Sequence, residues 1–179
     1  MNREPFAGVA EGKEMLGWLH DQGWELGNHT KDHIPFTGMP PKEVQRALVL
    51  GQEVITEAVP DAQVRTLALP LGVMPKPAVL ARRGSWQGRS YKHVGVFRVG
   101  AEPAPSPFSG AFRRGEIPRI RTTPPDATDQ EMGSTYWLDQ LRKTPELRFV
   151  SDGDPDTISF PRARARDLAP AFRARANPY

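Results

Sequence analysis

The sequence contains no cysteine. Disulfides, thiolate metal centres and cysteine nucleophiles are therefore excluded, and any metal site must use nitrogen and oxygen donors. No apolar run approaches the ~20 residues of a spanning helix, so no transmembrane segment is expected. The opening, MNREPFAGVAEGKEM, lacks the basic-then-apolar layout of a secretory signal, which leaves the compartment unknown. Acidic residues are scarce at one end: residues 161–179 hold Arg162, Arg164, Arg166, Arg173 and Arg175 against Asp167 alone, and the chain's net charge is +3. The basicity thus belongs to an Arg/Ala-rich stretch, read as a flexible tail. With no groove-reading motif beside it, no nucleic-acid partner is expected.

What is present suggests an α/β domain. At 179 residues the chain can bury a sizeable core. Met15, Leu16, Trp18 and Leu19 form a helical stripe over residues 11–22, with Gly23 as its stop. WELGN alternates like a short strand, and NHTKDHIPFTGMP reads as loop. Pro40 and Pro41 open a second helix with Val44, Leu48, Ile55 and Val59 on one face, ending at Pro60. Strands are expected in VRTLALPLG, KHVGVFRVGAEP and IPRIRTT, a helix over DATDQEMGSTYWLDQLRK, and short strands in LRFVSDGDP and TISFP. Strands alternating with helices predict parallel order. No domain linker is evident.

Two histidines in GWELGNHTKDH carry the sharpest chemistry. His29 and His33 are spaced so that both imidazoles can reach one ion, and His29 follows a predicted strand end. Alternatively, His29 caps a turn while His33 faces solvent; spacing alone leaves both readings open. Thr30 either hydrogen-bonds an imidazole or closes the turn. His20 and His93 are read as structural. Asp152 and Asp154 flank Gly153 in SDGDP, an Asx-turn pattern that could also supply carboxylate chemistry. Arg119 and Arg121 share one strand face and could orient a carboxylate or form surface ion pairs. Trp86, Tyr136 and Trp137 could stack on a sugar or fill a core.

The segment ELGNHTKDH resembles the second motif of the polysaccharide deacetylases (the NodB homology domain, carbohydrate esterase family four). The flanking LHDQGWE, the helix MPPKEVQRALVLGQEVITEAV and the strand RTLALPLG follow that family's order, and the resemblance extends over roughly residues 11–160. It implies an incomplete or distorted (β/α) barrel over residues 1–160, with residues 161–179 as the tail. It further implies a divalent metal, usually zinc, held by His29 and His33, and hydrolysis of N-acetyl groups on amino-sugar polysaccharides. An N-acetylated glycan is then the expected partner, and relatives of this type are often secreted or envelope-associated.

The sequence departs from the family's pattern in three places. The family's Thr-Phe-Asp-Asp motif has no counterpart before His29. Arg-x-Pro-x-Gly becomes Ala68-Leu69-Pro70-Leu71-Gly72, which keeps Pro70 and Gly72. Where the family ends a late strand on a catalytic histidine, LRFVSDGDP offers Asp152 and Asp154. Catalytic residues are thus unassigned, with Asp152, Asp154 and Arg119 as candidates. Three readings follow: a chain lacking its N-terminal strand and weakly active or inactive, a non-catalytic carbohydrate-binding protein on a degenerate deacetylase fold, or a site completed by Asp152 or Asp154. The first is preferred, and a missing strand would expose an edge open to self-association.

Overall fold

A computed structural model describes residues 9–122, 133–145 and 152–179. These fall into two compact units, Met1–Val99 with Arg114–Ile117, and Gly100–Arg113 with Pro118–Tyr179. The partition cuts across the 1–160 and 161–179 division read from the sequence. Both the N-terminal half of the expected third helix and the LRFV strand lie outside the described residues.

In the first unit, helix α1 (Val9–Asp21) stops where Gly23 adopts φ +80°, a left-handed geometry suited to glycine. Its apolar stripe is only partly covered, since Trp18 is 54% exposed. Helix α2 (Pro41–Ala58) begins with proline at its first position, where a missing N–H costs nothing. It turns Val44, Leu48, Val49 and Ile55 inward. Val44, Leu48 and Val49 pack with Phe36, Leu67, Leu69, Leu80, Ala81, Tyr91 and Val96 to form the main core. Strand β1 (Thr66–Ala68) runs through the expected VRTLALPLG segment. Two strands follow that the sequence reading missed, β2 (Arg83–Trp86) and β3 (Arg89–Lys92), joined as an antiparallel hairpin.

Strand β4 (Gly95–Val99) pairs parallel with β1, Leu67 opposite Val96. The fold is therefore mixed α/β with parallel pairing, as expected. The strand order is β1-β4-β5, with β5 (Ile117–Arg119) reached through the Arg114–Ile117 segment. WELGN supplies less than the expected strand. Only Asn28 pairs, bridging parallel to Leu67 through Asn28 N–H to Thr66 C=O (2.8 Å) and Ala68 N–H to Asn28 C=O (2.9 Å). Trp24 is mostly exposed, so the apolar alternation there has no core face to bury.

The second unit contains helix α3 (Ser134–Lys143) and the parallel pair β6 (Ile158–Phe160) and β7 (Ala176–Pro178). Arg162–Asp167 and Pro170–Arg175 form 3-10 turns between those strands. The stretch expected as a flexible tail is thus folded here. Leu168 and Phe172, four residues apart, pack with Ile158 and Phe160, while Arg162, Arg164, Arg166 and Arg173 are exposed. In that stretch the charge pattern dominates the sequence, and two apolar anchors decide the structure.

Candidate metal-binding site

The site is built where Asn28 leaves its bridge to β1 and the chain turns across α2. Asn28 is fully buried, and its side chain is divided among three neighbours. Its amide Nδ2 donates to the Leu48 carbonyl of α2 (2.8 Å) and lies 3.5 Å from His93 Nε2. Its Oδ1 accepts the Thr30 N–H (2.9 Å). Thr30 Oγ1 then accepts the His33 N–H (3.1 Å), so the threonine closes the turn. Thr30 and His33 both take positive φ, +60° and +54°, a conformation non-glycine residues seldom adopt without outside support. The network around Asn28 is that support.

This turn, rather than a helical face, brings the two imidazoles together. The His29 and His33 ring centroids are 4.7 Å apart with planes inclined at 67°. His29 Nδ1 lies 2.7 Å from the carbonyl oxygen of Ala68 at the end of β1. A carbonyl can only accept, so Nδ1 of the neutral ring carries the proton and Nε2 carries the lone pair. Both histidines are half-buried.

Pro70 and Gly72 occupy the turn that leaves the same end of β1. Pro70 is buried and opens a short 3-10 segment, Pro70–Gly72. Leu71 and Gly72 follow with φ of +51° and +71°. A Cβ on Gly72 would come within 2.8 Å of the Val99 amide nitrogen, so the close approach to β4 requires glycine.

Two residues that position the site, Asn28 and Gly51, escaped the sequence reading, and His93, read there as structural, faces Asn28. Gly51, buried within α2, lies against the histidine turn, where an added Cβ would sit 2.7 Å from Thr30 Cα. A glycine inside an amphipathic helix costs about 1 kcal/mol against alanine, and that cost was the available signal. His93 is buried, with Nδ1 2.8 Å from the Ala81 carbonyl and its ring stacked on Tyr91. Burial also pushes the Tyr91 phenol up to about 12, and that hydroxyl donates to the Leu80 carbonyl (2.6 Å). Because the Ala81 carbonyl accepts the hydrogen bond from Nδ1–H, Nε2 of neutral His93 faces Asn28 as an acceptor.

Burial lowers the His93 pKa below its ordinary value, with the Ala81 carbonyl opposing. An unfolded histidine protonates below about pH 6.5, whereas the folded one resists until lower pH. The unfolded state therefore binds more protons in that window, so stability falls as pH drops from about 6.5 toward the folded value. In thermal melts taken between about pH 7 and 5, the wild-type midpoint should decline more steeply than that of His93→Gln. Parallel pH profiles would show that His93 does not titrate across folding.

Arg119, Arg121, Asp152 and Asp154 belong to the second unit. Arg119 is exposed on β5, and Arg121 is also exposed, with a backbone bridge to Gly133. Asp152 accepts hydrogen bonds from Thr157 Oγ1 (2.6 Å), Ser159 Oγ (2.5 Å), Asn177 Nδ2 (2.7 Å) and the Asp154 N–H (3.0 Å). Those donors hold its carboxyl well below the usual carboxylate range, with Ser159 contributing most. Asp154 Oδ1 caps the Asp156 N–H (2.8 Å). Both carboxylates are engaged in fixing the SDGDP turn, and Asp152 in tying it to β6 and β7. Tyr136 and Trp137 meet edge to face, and Trp137 Nε1 donates to the Ala101 carbonyl (2.8 Å).

Comparison with known proteins bears on the first unit. Residues 6–84 match the polysaccharide deacetylase family. The matched span contains α1, the histidine turn, α2, β1 and the Pro70–Gly72 turn. The segment containing His29 and His33 lies inside this match, and the later segments compared with the family lie beyond it. No solved structure matches the chain. Among the described residues no group of three or more His, Asp or Glu side chains could hold a metal ion. The matched stretch thus presents two neighbouring imidazoles, one fewer than the three protein ligands a catalytic zinc takes.

Proposed function

We propose that the first unit is the metal-binding part of a hydrolase that removes N-acetyl groups from amino-sugar polysaccharides, on a (β/α) barrel of the polysaccharide deacetylase type. The observation that carries this reading is the His29–His33 pair held by a tailored turn inside the matched stretch. His29 Nε2 and an imidazole nitrogen of His33 would hold a divalent ion, zinc by preference for nitrogen donors. When bound, such an ion polarises an amide carbonyl and acidifies water. The chain's own contribution is positional: the Ala68 carbonyl fixes the His29 tautomer, Thr30 fixes His33, and Asn28 fixes the turn. The described residues supply two ligands, which fit part of a zinc donor set. A protein that bound metal and glycan without turnover would be the non-catalytic alternative.

The test is calorimetric titration of zinc into wild type, His29→Ala and His33→Ala, together with acetate release from N-acetylated glucosamine oligomers. Each substitution should weaken zinc binding by about tenfold or more, since removing even a group that merely orients a ligand costs that much. Equal affinity in all three proteins would remove the reading. Zinc binding and glycan retention without acetate release would establish the non-catalytic form.

A further inference from the structure

Residues 62–101 contain seven cationic side chains, Arg65, Lys76, Arg82, Arg83, Arg89, Lys92 and Arg98, and no Asp or Glu. Arg89 pairs with Glu53 and Arg98 with Glu116. The others have no ion partner among the described residues. Two of them are set directly opposite each other. In the β2–β3 register Arg83 faces Lys92, Gly84 faces Tyr91, Ser85 faces Ser90 and Trp86 faces Arg89.

Side chains alternate across a strand, so buried Tyr91 identifies the inward face. Arg83, Lys92, Ser85 and Ser90 then share the outward face, and all four are exposed. Like charges directly opposite on a hairpin are destabilising. Here they stand beside two hydroxyls whose oxygens have no hydrogen-bond partner among the described residues. The face is also held rigid. Gln45 Oε1 accepts the Ser85 N–H (2.9 Å), Gln52 Nε2 donates to the Ser90 carbonyl (3.2 Å), and Arg89 is paired with Glu53 on α2. Gln87 and Gly88 both take positive φ, the geometry of a tight hairpin turn.

We propose that this outward face is an anion-binding surface for the carboxylate groups of an acidic, N-acetylated polysaccharide. The choice of a glycan rests on the deacetylase reading; the choice of an anion rests on the hairpin alone. Two cations without counter-charge and two hydroxyls on a rigid support match a carboxylate, for which the arginine fork offers two parallel hydrogen bonds. A nucleic acid is the weaker occupant. Trp86 sits on the opposite face, with Arg46 and Arg89 at 6.0 and 5.6 Å from its ring, so this face offers no aromatic platform for bases.

The experiment uses the full chain with hyaluronan oligosaccharides, which alternate glucuronate with N-acetylglucosamine, against neutral chitin oligosaccharides and duplex DNA. Arg83→Gln with Lys92→Gln should lower hyaluronan affinity at least tenfold. The control pair Arg166→Gln with Arg173→Gln removes the same charge from the second unit and should change it less than twofold. Arg83→Glu converts the like-charge pair into an ion pair, so it should raise the melting temperature while abolishing binding. His29→Ala should leave hyaluronan binding intact, which separates this site from the metal site if the deacetylase reading fails. Equal losses in the two double variants, no preference for hyaluronan over chitin, DNA binding as tight as hyaluronan at equal salt, or unchanged binding in Arg83→Glu would each overturn the proposal.

Discussion

Gly51→Ala should destabilise the first unit by about 2–4 kcal/mol, although alanine is the better helix former by about 1 kcal/mol. The new methyl would meet Asn28 Oδ1 and come within 2.7 Å of Thr30 Cα and 3.0 Å of Thr30 C. None of these is the loose end of a flexible side chain. Either α2 withdraws from the histidine turn, which breaks the Asn28–Leu48 bond, or the turn gives up its positive-φ residues. Zinc affinity should fall along with stability, because the same displacement separates His29 from His33. Gly17 in α1 provides the control: nothing lies within 4 Å of its Cβ position, so Gly17→Ala should stabilise by about 0.5–1 kcal/mol. Denaturant titrations of the two variants should therefore shift in opposite directions. Shifts of the same sign would show that Gly51 is not a packing contact.

Asn28→Leu should cost about 3 kcal/mol while leaving the core volume nearly unchanged. Leucine cannot donate to the Leu48 carbonyl, accept from the Thr30 N–H or meet His93 Nε2, so three buried or half-buried polar groups lose their partner at once. Each such loss is worth roughly 1–3 kcal/mol, and the three are coupled, so they do not simply add. The loss should also be local. Hydrogen exchange should accelerate at Thr30 and His33 before it does in α2, and zinc binding should weaken although neither histidine has changed. An Asn28→Leu protein with wild-type zinc affinity would show that the turn holds its shape without the asparagine.

The sequence made the histidine pair, α2 and the order of β1, β4 and β5 legible, because each leaves a local mark. Val44, Leu48 and Ile55 recur at helical spacing, Pro41 announces a helix start, and His29 and His33 share one short loop. The hairpin was illegible for a physical reason. Its inward face is a glycine, a tyrosine, a tryptophan and an arginine, so RGSWQGRSYK shows no apolar alternation, and its turn uses Gln87-Gly88 rather than the familiar Asn-Gly. The supports of the site were illegible because they are long-range. Asn28 meets residues 20 and 65 positions away, and no local pattern records that. In residues 161–179 the abundance of arginine masked Leu168 and Phe172.

The lone bridge at Asn28 makes the histidine turn all-or-none. Residues on either side of Asn28 point the other way, so sliding this segment by one position along β1 would put Gly27 or His29 in the buried slot and turn the asparagine out. The slot accepts no compromise, since its walls offer the Leu48 carbonyl and His93 to an amide and to nothing else. An intermediate alignment therefore has nowhere to rest. Molecules that lose the bridge leave the pool able to present two imidazoles to one ion, while the rest keep their full affinity. Partial damage to this region should accordingly lower the apparent metal affinity in proportion to the fraction of molecules that keep the bridge, with the number of sites at saturation unchanged.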